Sequence, residues 1–359
     1  MNSKDKPALG KRYEYDGKAT RRLNDVQREA QKGLREKIKN GVYVFEQKSC
    51  CVCGKENFEK LSEKDRYGLF FPVVICRVCG LVQANPRMTQ ESCREFYNKE
   101  YNGFRKDTDT VQANERDLKH YDDRKNDQAK RIYDLIVDSR AKSPTMLSGS
   151  FVVDVGCKAG DTLNYFKEKG CRVQGVDIRD NLFEYGRKKF GIDLVKGTLG
   201  SVQLKGKPDL LLYIHVLEHI PAIKEELVHI HRVLADDGIV YINVPGVKCL
   251  MHAYNRDFLQ SLQIAHVYYF SLTTLKNLFE SNGFEIIYGD ESGKDIHGIF
   301  KKVVRGQGQP VYLFNDYKDT IEFLRSMKRK LFYGRCKDVV RKTIPYKLLK
   351  VIFKLRTRF

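Results

Sequence analysis

The 359-residue chain has no tryptophan, only nine prolines and five methionines. No apolar run approaches the roughly 18–20 residues that span a bilayer. The first thirty residues are polar and charged throughout, with no apolar stretch of the signal-peptide kind. These absences argue against a membrane-spanning helix and lead to the expectation of a cytoplasmic protein. Twenty tyrosines and twenty phenylalanines offset the missing indoles, so global disorder is excluded too.

Charge is plentiful but uneven. Of the formal +19, residues 1–48 contribute +6 and residues 317–359 contribute +11, which leaves +2 for the 268 residues between. A nearly neutral body therefore carries two basic ends. Such ends suit nucleic acid, anionic lipid or an acidic substrate, and charge alone does not choose among them. Residues 317–359 read as two helical segments broken near Ile344 and Pro345, where proline removes a donor. The last stretch, YKLLKVIFKLRTRF, mixes apolar and basic residues, which fits an anionic membrane surface at the inner face. A packed or solvated tail and nucleic-acid binding are its alternatives.

Ten cysteines in a long chain without a leader suggest metal binding or burial before disulfides. Cys50 and Cys53 in SCCVCG, and Cys76 and Cys79 in ICRVCG, form two Cys-x-x-Cys-Gly knuckles separated by 22 residues. Two such knuckles supply four thiolates to one ion, the ligand set of a structural, closed Zn²⁺ site. Unligated reduced cysteines and an iron–sulfur cluster are the competing readings. Cys51 is a spectator. The segments FEKL and YGLFFPVVI between the knuckles predict a small hairpin.

From about residue 150 the pattern alternates between strand and helix periods. Strands are predicted at 151–156, 171–177, 192–196, 208–214 and 238–245, and helices near 161–169, 221–234 and 271–284. This is the signature of a doubly wound, mostly parallel α/β sheet covered on both faces. Ligands of such sheets lie beyond the carboxyl ends of the strands. There Asp154, Gly156 and Gly160 occupy the first strand–helix turn, and Asp177 ends the second strand, where a carboxylate accepts hydrogen bonds from ribose hydroxyls. A Gly-x-Gly-x-x-Gly series is absent, so no pyrophosphate site is evident.

VVDVGCKAGDT resembles the first motif of class I S-adenosylmethionine-dependent methyltransferases. The likeness continues through Asp177, LLYIHVLEHIP, HRVLADDGIVYINVP and HVYYFSLTTLKNLFESNGF. Residues 50–80, followed by LVQANP and FYNKEY, resemble the zinc-binding N-terminal module of one branch, which includes sugar C-methyltransferases and methyltransferases of polysaccharide synthesis. The resemblance covers about 46–305. It implies a Rossmann-like, seven-stranded sheet and S-adenosylmethionine as cofactor, with Asp154, Gly156 and Gly160 on its methionine side, Asp177 on its ribose and Leu199 near the adenine; His215, just after a buried strand, is read either as bordering the cofactor or as capping that strand. It also implies His219 as general base, steadied by Glu218, and His266 on the substrate side. Lys158 departs from the family, which has a small residue there. The C-terminal domain of the sugar C-methyltransferases has no counterpart in residues 306–359, which favours O-methylation of a sugar hydroxyl in a nucleotide sugar, polysaccharide or lipid-linked glycan.

The resulting division is a basic extension (1–45), a zinc module (46–100), a helical connector (101–149), the methyltransferase domain (150–305) and a basic helical tail (306–359). His229, His231, Tyr268 and Tyr269 are expected to be structural. An RNA methyltransferase is disfavoured, because the core lacks an aromatic and basic stripe and an Asn-Pro-Pro-Tyr motif. A non-catalytic binding protein with the same fold is the remaining alternative.

Overall fold

The computed structural model describes residues 6–104, 115–139, 141–303 and 313–343. The chain opens with helix α1 (Asp25–Lys39), started by a capping box in which Asn24 and Gln27 satisfy each other's backbone. Strand β1 (Phe45–Glu46) leads to the predicted hairpin, β2 (Phe58–Lys64) and β3 (Phe70–Cys76). Pro72 sits where the β2–β3 register shifts, a place that tolerates its missing donor. Then come β4 (Val82–Ala84), β5 (Arg87–Met88), α2 (Gln90–Lys99), α3 (Tyr101–Phe104), α4 (Glu115–Asp138) and α5 (Pro144–Leu147).

The α/β alternation follows: β6 (Phe151–Val155), α6 (Asp161–Glu168), β7 (Arg172–Asp177), α7 (Phe183–Phe190), β8 (Asp193–Lys196), β9 (Leu210–Ile214), α8 (Ile223–Val233) and β10 (Ile239–Val244). After α9 (Phe258–Ser261) and β11 (Tyr268–Tyr269) come α10 (Leu272–Glu280), β12 (Phe284–Asp290), β13 (Ile296–Lys302) and α11 (Tyr317–Thr343). Seven strands form one sheet in the order β12-β13-β10-β9-β6-β7-β8. All neighbours pair in parallel except β13, which is antiparallel to both β10 and β12. Strands β6, β9 and β10 are apolar and buried almost throughout, as expected of a sheet covered on both faces. The late hairpin β12–β13 was not anticipated. The predicted helix over 271–284 stops at Glu280, because Gly283 adopts φ 85° and turns Phe284 into a strand.

A second, four-stranded sheet has the order β11-β4-β3-β2. Its edge strand β11 comes from within the α/β region, so the cysteine module and that region share a sheet. The basic N-terminus is no loose extension: Leu9, Tyr13, Leu23 and Leu34 are buried in the core around this sheet, and Arg12 clasps Asp257 at 2.7 and 2.5 Å. Its apolar residues are sparse, but Leu9, Tyr13, Leu23, Leu34 and Tyr43 are buried.

Helix α11 is anchored at its start. Asp316 is almost fully buried, takes Lys248 Nζ at 2.7 Å, and accepts from Ser271 Oγ at 2.5 Å and Thr320 Oγ1 at 2.9 Å. Its backbone N–H donates to the Cys79 carbonyl at 3.3 Å. Ile321 and Leu324 then bury in the N-terminal core. Among the described residues no helix is long and apolar enough to cross a membrane. The break near Ile344 and Pro345 and the apolar–basic stretch proposed for a membrane surface lie outside the described residues. Asp316→Ala leaves Lys248 partly buried without its partner and two hydroxyls without an acceptor. Urea unfolding is expected to show a loss of about 3 kcal/mol; an unchanged midpoint would remove Asp316 as the anchor.

Candidate active site and cysteine centre

One cavity of about 740 Å³ opens at the carboxyl ends of the parallel strands, within the size range of small-molecule sites. Asp154, Gly156, Asp177, Leu199, His215, Glu218, His219 and His266 all line it. Gly160 does not: at φ 85° it caps α6, and a Cβ there would meet Leu194 and Ile192 behind the turn. Gly156, at φ 80°, is required both by its backbone and by Val216, whose Cγ2 would lie 2.3 Å from an added Cβ.

The wall formed after β6 and β7 is built from backbone. Asp177 ends β7 almost buried, with Oδ2 accepting from the Lys158 N–H at 3.1 Å and Oδ1 from the Arg179 N–H at 2.9 Å. Each bond fixes one oxygen and leaves a further lone pair on it for a ligand's hydroxyls. Lys158 makes that bond from φ 55°, a left-handed conformation costly for a side chain with a Cβ. This is the physical meaning of its departure from the small residue expected there.

On the opposite wall, one turn of 3₁₀ helix, Leu217–His219, follows β9. It places Glu218, His219 and His266 so that one polar atom from each lies within 4.8 Å of the others. His219 Nδ1 lies 2.8 Å from the Ala265 carbonyl, which only accepts. Nδ1 therefore carries the proton of the neutral ring, and Nε2, 3.7 Å from Glu218 Oε1, is the basic nitrogen. Tyr97 Oη contacts the same Nδ1 and donates to the Ala265 carbonyl at 3.0 Å. Glu218 is 1% exposed, and neither of its carboxyl oxygens has a hydrogen-bond partner among the described residues. Such a group is costly unless a ligand completes it. His215, at φ 55°, stands 3.6 Å from Glu218 and 3.8 Å from Asp295. Burial, followed by the charges of His219, Arg66 and His215, pushes the His266 pKa well below its ordinary value.

The N-terminal module supplies part of this wall. Gln90, Arg94, Tyr97 and Tyr101 line the cavity, and the rings of Tyr97 and Tyr101 meet the His219 ring edge-on at 5.5 and 6.4 Å. Tyr97 and Tyr101 lie in FYNKEY, a stretch that carries the module's resemblance. The spacing of its two tyrosines, four apart on a helical stretch, was the available signal. Arg66 and Gln263 were missed, with no local signal to find them. Of the residues expected to be structural, Tyr268 and Tyr269 are buried, and His229 reaches the cavity wall.

The knuckle cysteines converge elsewhere. Cys50 Sγ lies 3.4 Å from Cys79 Sγ and Cys53 Sγ 3.5 Å from Cys76 Sγ, with all four within 4.8 Å of one another and none in a disulfide. Zn–S bonds of about 2.3 Å in a tetrahedron put sulfurs about 3.8 Å apart, so the set fits one zinc ion. Cys51 lies outside the group; burial raises its thiol to about 12.

The fold is a Rossmann-like α/β sheet with one cavity at the carboxyl ends of its parallel strands. Residues 126–288 match the family described as a methyltransferase domain. The C-methyltransferase NovU of Streptomyces niveus is 30% identical over 168 residues, covering 45% of this chain and 39% of that enzyme. The chain thus spans about two fifths of the length of the curated relative it matches. The 1,6-didemethyltoxoflavin-N1-methyltransferase of Burkholderia thailandensis, solved with S-adenosylhomocysteine, is 18% identical with a TM-score of 0.36. The match covers 55% of this chain and 94% of that one. An S-adenosylmethionine-dependent methyltransferase of Clostridium acetobutylicum is 12% identical with a TM-score of 0.39, covering 49% and 91%. These structural likenesses concern the fold alone.

Lys158→Gly keeps the backbone bond to Asp177 and removes the left-handed strain. It is expected to raise stability by about 1 kcal/mol in urea unfolding without weakening cofactor binding. A destabilised variant would mean that the Lys158 side chain makes a contact worth more than the strain.

Proposed function

We propose that this protein transfers a methyl group from S-adenosylmethionine to a sugar hydroxyl in a nucleotide sugar, polysaccharide or lipid-linked glycan. The observation that carries the reading is one cavity with a backbone-fixed Asp177 on one wall and Glu218, His219 and His266 on the other. Bound there, S-adenosylmethionine supplies an electrophilic sulfonium methyl group. Asp177 holds its ribose hydroxyls, while the close turn at Gly156 lets the ligand approach the backbone near Asp154. Across the cavity, His219 Nε2 takes the acceptor's proton, and the Ala265 carbonyl holds the imidazole in the orientation that leaves this nitrogen basic. Tyr97 and Tyr101 cover the ring and limit water at the site. A second reading, methylation at carbon, is favoured by the name of the Streptomyces relative, a C-methyltransferase. The same base would then remove a proton from carbon.

The test is methylation with labelled S-adenosylmethionine of acceptor pools separated into nucleotide sugars, lipid-linked glycans and RNA. Label in a sugar pool is expected; label confined to RNA would overturn the choice of acceptor. By calorimetry, Asp177→Ala should weaken S-adenosylmethionine binding about 30-fold, equivalent to a charged hydrogen-bond pair. His219→Ala should bind normally and lose about 10²-fold or more in turnover. Normal turnover by His219→Ala would remove it from the base role.

We also propose that Cys50, Cys53, Cys76 and Cys79 hold one structural Zn²⁺, which closes the module that carries Tyr97 and Tyr101. Metal analysis should find about one zinc per chain, and Cys76→Ser should lose it together with thermal stability. Purified, folded protein without metal would contradict this.

A further inference from the structure

His266 is buried in the cavity wall with a hydrogen-bond arrangement that reaches well behind it. Arg66 Nη2 donates to Gln263 Oε1 at 2.5 Å. That bond fixes which way the Gln263 amide faces, because a guanidinium has no acceptor. The amide's other end, its NH₂ group, meets His266 Nε2. An NH₂ group only donates here, so Nε2 accepts and bears no proton. The proton of the neutral ring is then on Nδ1, which is buried and has no partner among the described residues. The arrangement is stiff. Arg66 also donates to Tyr67 Oη at 3.0 Å and its backbone N–H to the Leu262 carbonyl at 2.9 Å. Gln263 donates its N–H to Tyr269 Oη at 3.1 Å, and the Tyr269 hydroxyl donates to the Gln263 carbonyl at 3.2 Å.

We infer that Arg66 and Gln263 are positioning residues that lock His266 as a neutral hydrogen-bond donor, its Nδ1–H directed to an oxygen of the methyl acceptor. His219 and His266 thereby take opposite roles despite ring centroids only 4.6 Å apart. In His219 the Nδ1 proton is spent on Ala265 and Nε2 is left basic. In His266 the lone pair is spent on Gln263 and Nδ1–H is left as donor. The same lock argues against a metal ion shared by Glu218, His219 and His266, because a metal on His266 Nδ1 needs that proton gone and Nε2–H facing an NH₂ group. The groups facing His266 are Arg66, His215, Glu218, His219 and Tyr269. Its burial opposes the imidazolium form.

This inference rests on the methyl-transfer reading for its acceptor oxygen, but its first test does not. Long-range ¹⁵N–¹H NMR of the histidine-labelled, zinc-loaded full chain reports which nitrogen carries the proton. His266 should show Nδ1–H and a bare Nε2, unchanged across neutral pH. An Nε2–H tautomer or an imidazolium would overturn the lock. Gln263→Glu keeps an acceptor for Arg66 while replacing the NH₂ donor by a carboxylate oxygen. It should move the His266 proton to Nε2 and lower kcat on the labelled acceptor about 10²-fold, the size of losing one donor at a reacting oxygen. S-adenosylhomocysteine affinity should stay the same. His266→Asn, whose amide N–H stands in for Nδ1–H, should recover most of the turnover lost in His266→Leu; equal losses in the two would overturn the donor role. Nε2–H in a protein that methylates a sugar would overturn this inference alone. Nδ1–H in a protein that methylates nothing would overturn the methyltransferase reading, and the donor role with it.

Discussion

The short antiparallel pairing of Val82–Ala84 with Tyr268–Tyr269 is the contact on which the site depends. Tyr268 is opposite Gln83 and Tyr269 opposite Val82, and the Ala84 N–H extends the ladder to the Val267 carbonyl at 2.8 Å. On its other side, the Val267 N–H donates to the Glu218 carbonyl at 2.8 Å. One stretch of backbone is thus clamped between the cysteine module and the turn that carries Glu218 and His219. Arg87 reinforces the clamp by donating to Tyr268 Oη at 2.6 Å, and Tyr268 in turn donates to the Pro221 carbonyl. Breaking the pairing would displace Ala265, His266 and the helix bearing Tyr97 together. The cysteine centre therefore acts on the site through geometry, with no chemistry of its own required.

The two walls of the cavity are made on different principles. The wall built by β6 and β7 uses backbone donors and close turns, and its strain sits at Lys158. The wall built by the turn after β9 uses buried side chains whose polar atoms are incompletely paired inside the protein. Glu218 and His266 both have a buried polar atom without a partner among the described residues, where it is most expensive. Unpaired groups of this kind are tolerated where a ligand supplies the missing partners, and here they face the wall of β6 and β7 across one cavity.

The parallel strands were readable because β6, β9 and β10 are short apolar runs bounded by turn residues. The cysteine centre was readable because knuckle spacing is a local property of the chain. Asp177, Glu218, His219 and His266 were placed together by resemblance, since they come from three separate stretches. What could not be read was long-range: the antiparallel placement of β13 beside β10, and the pairing of β11 with β4 of the cysteine module. Arg66 and Gln263, 197 residues apart in sequence, meet where the cysteine module and the α/β region pack together. The N-terminal charge was misleading for a similar reason. Composition reports the exposed lysines and arginines, while the few buried residues among them, Leu9, Tyr13 and Leu34, decide that the segment packs.

The central claim is that a methyl donor lies between Asp177 and the Glu218–His219–His266 wall under the N-terminal module. A crystal structure of the full chain with S-adenosylhomocysteine tests it most directly. The account predicts ribose hydroxyls on the Asp177 carboxylate and the sulfur turned toward His219 and His266, with Tyr97 in place on Ala265. A ligand bound elsewhere, or with its sulfur facing away from these histidines, would contradict it.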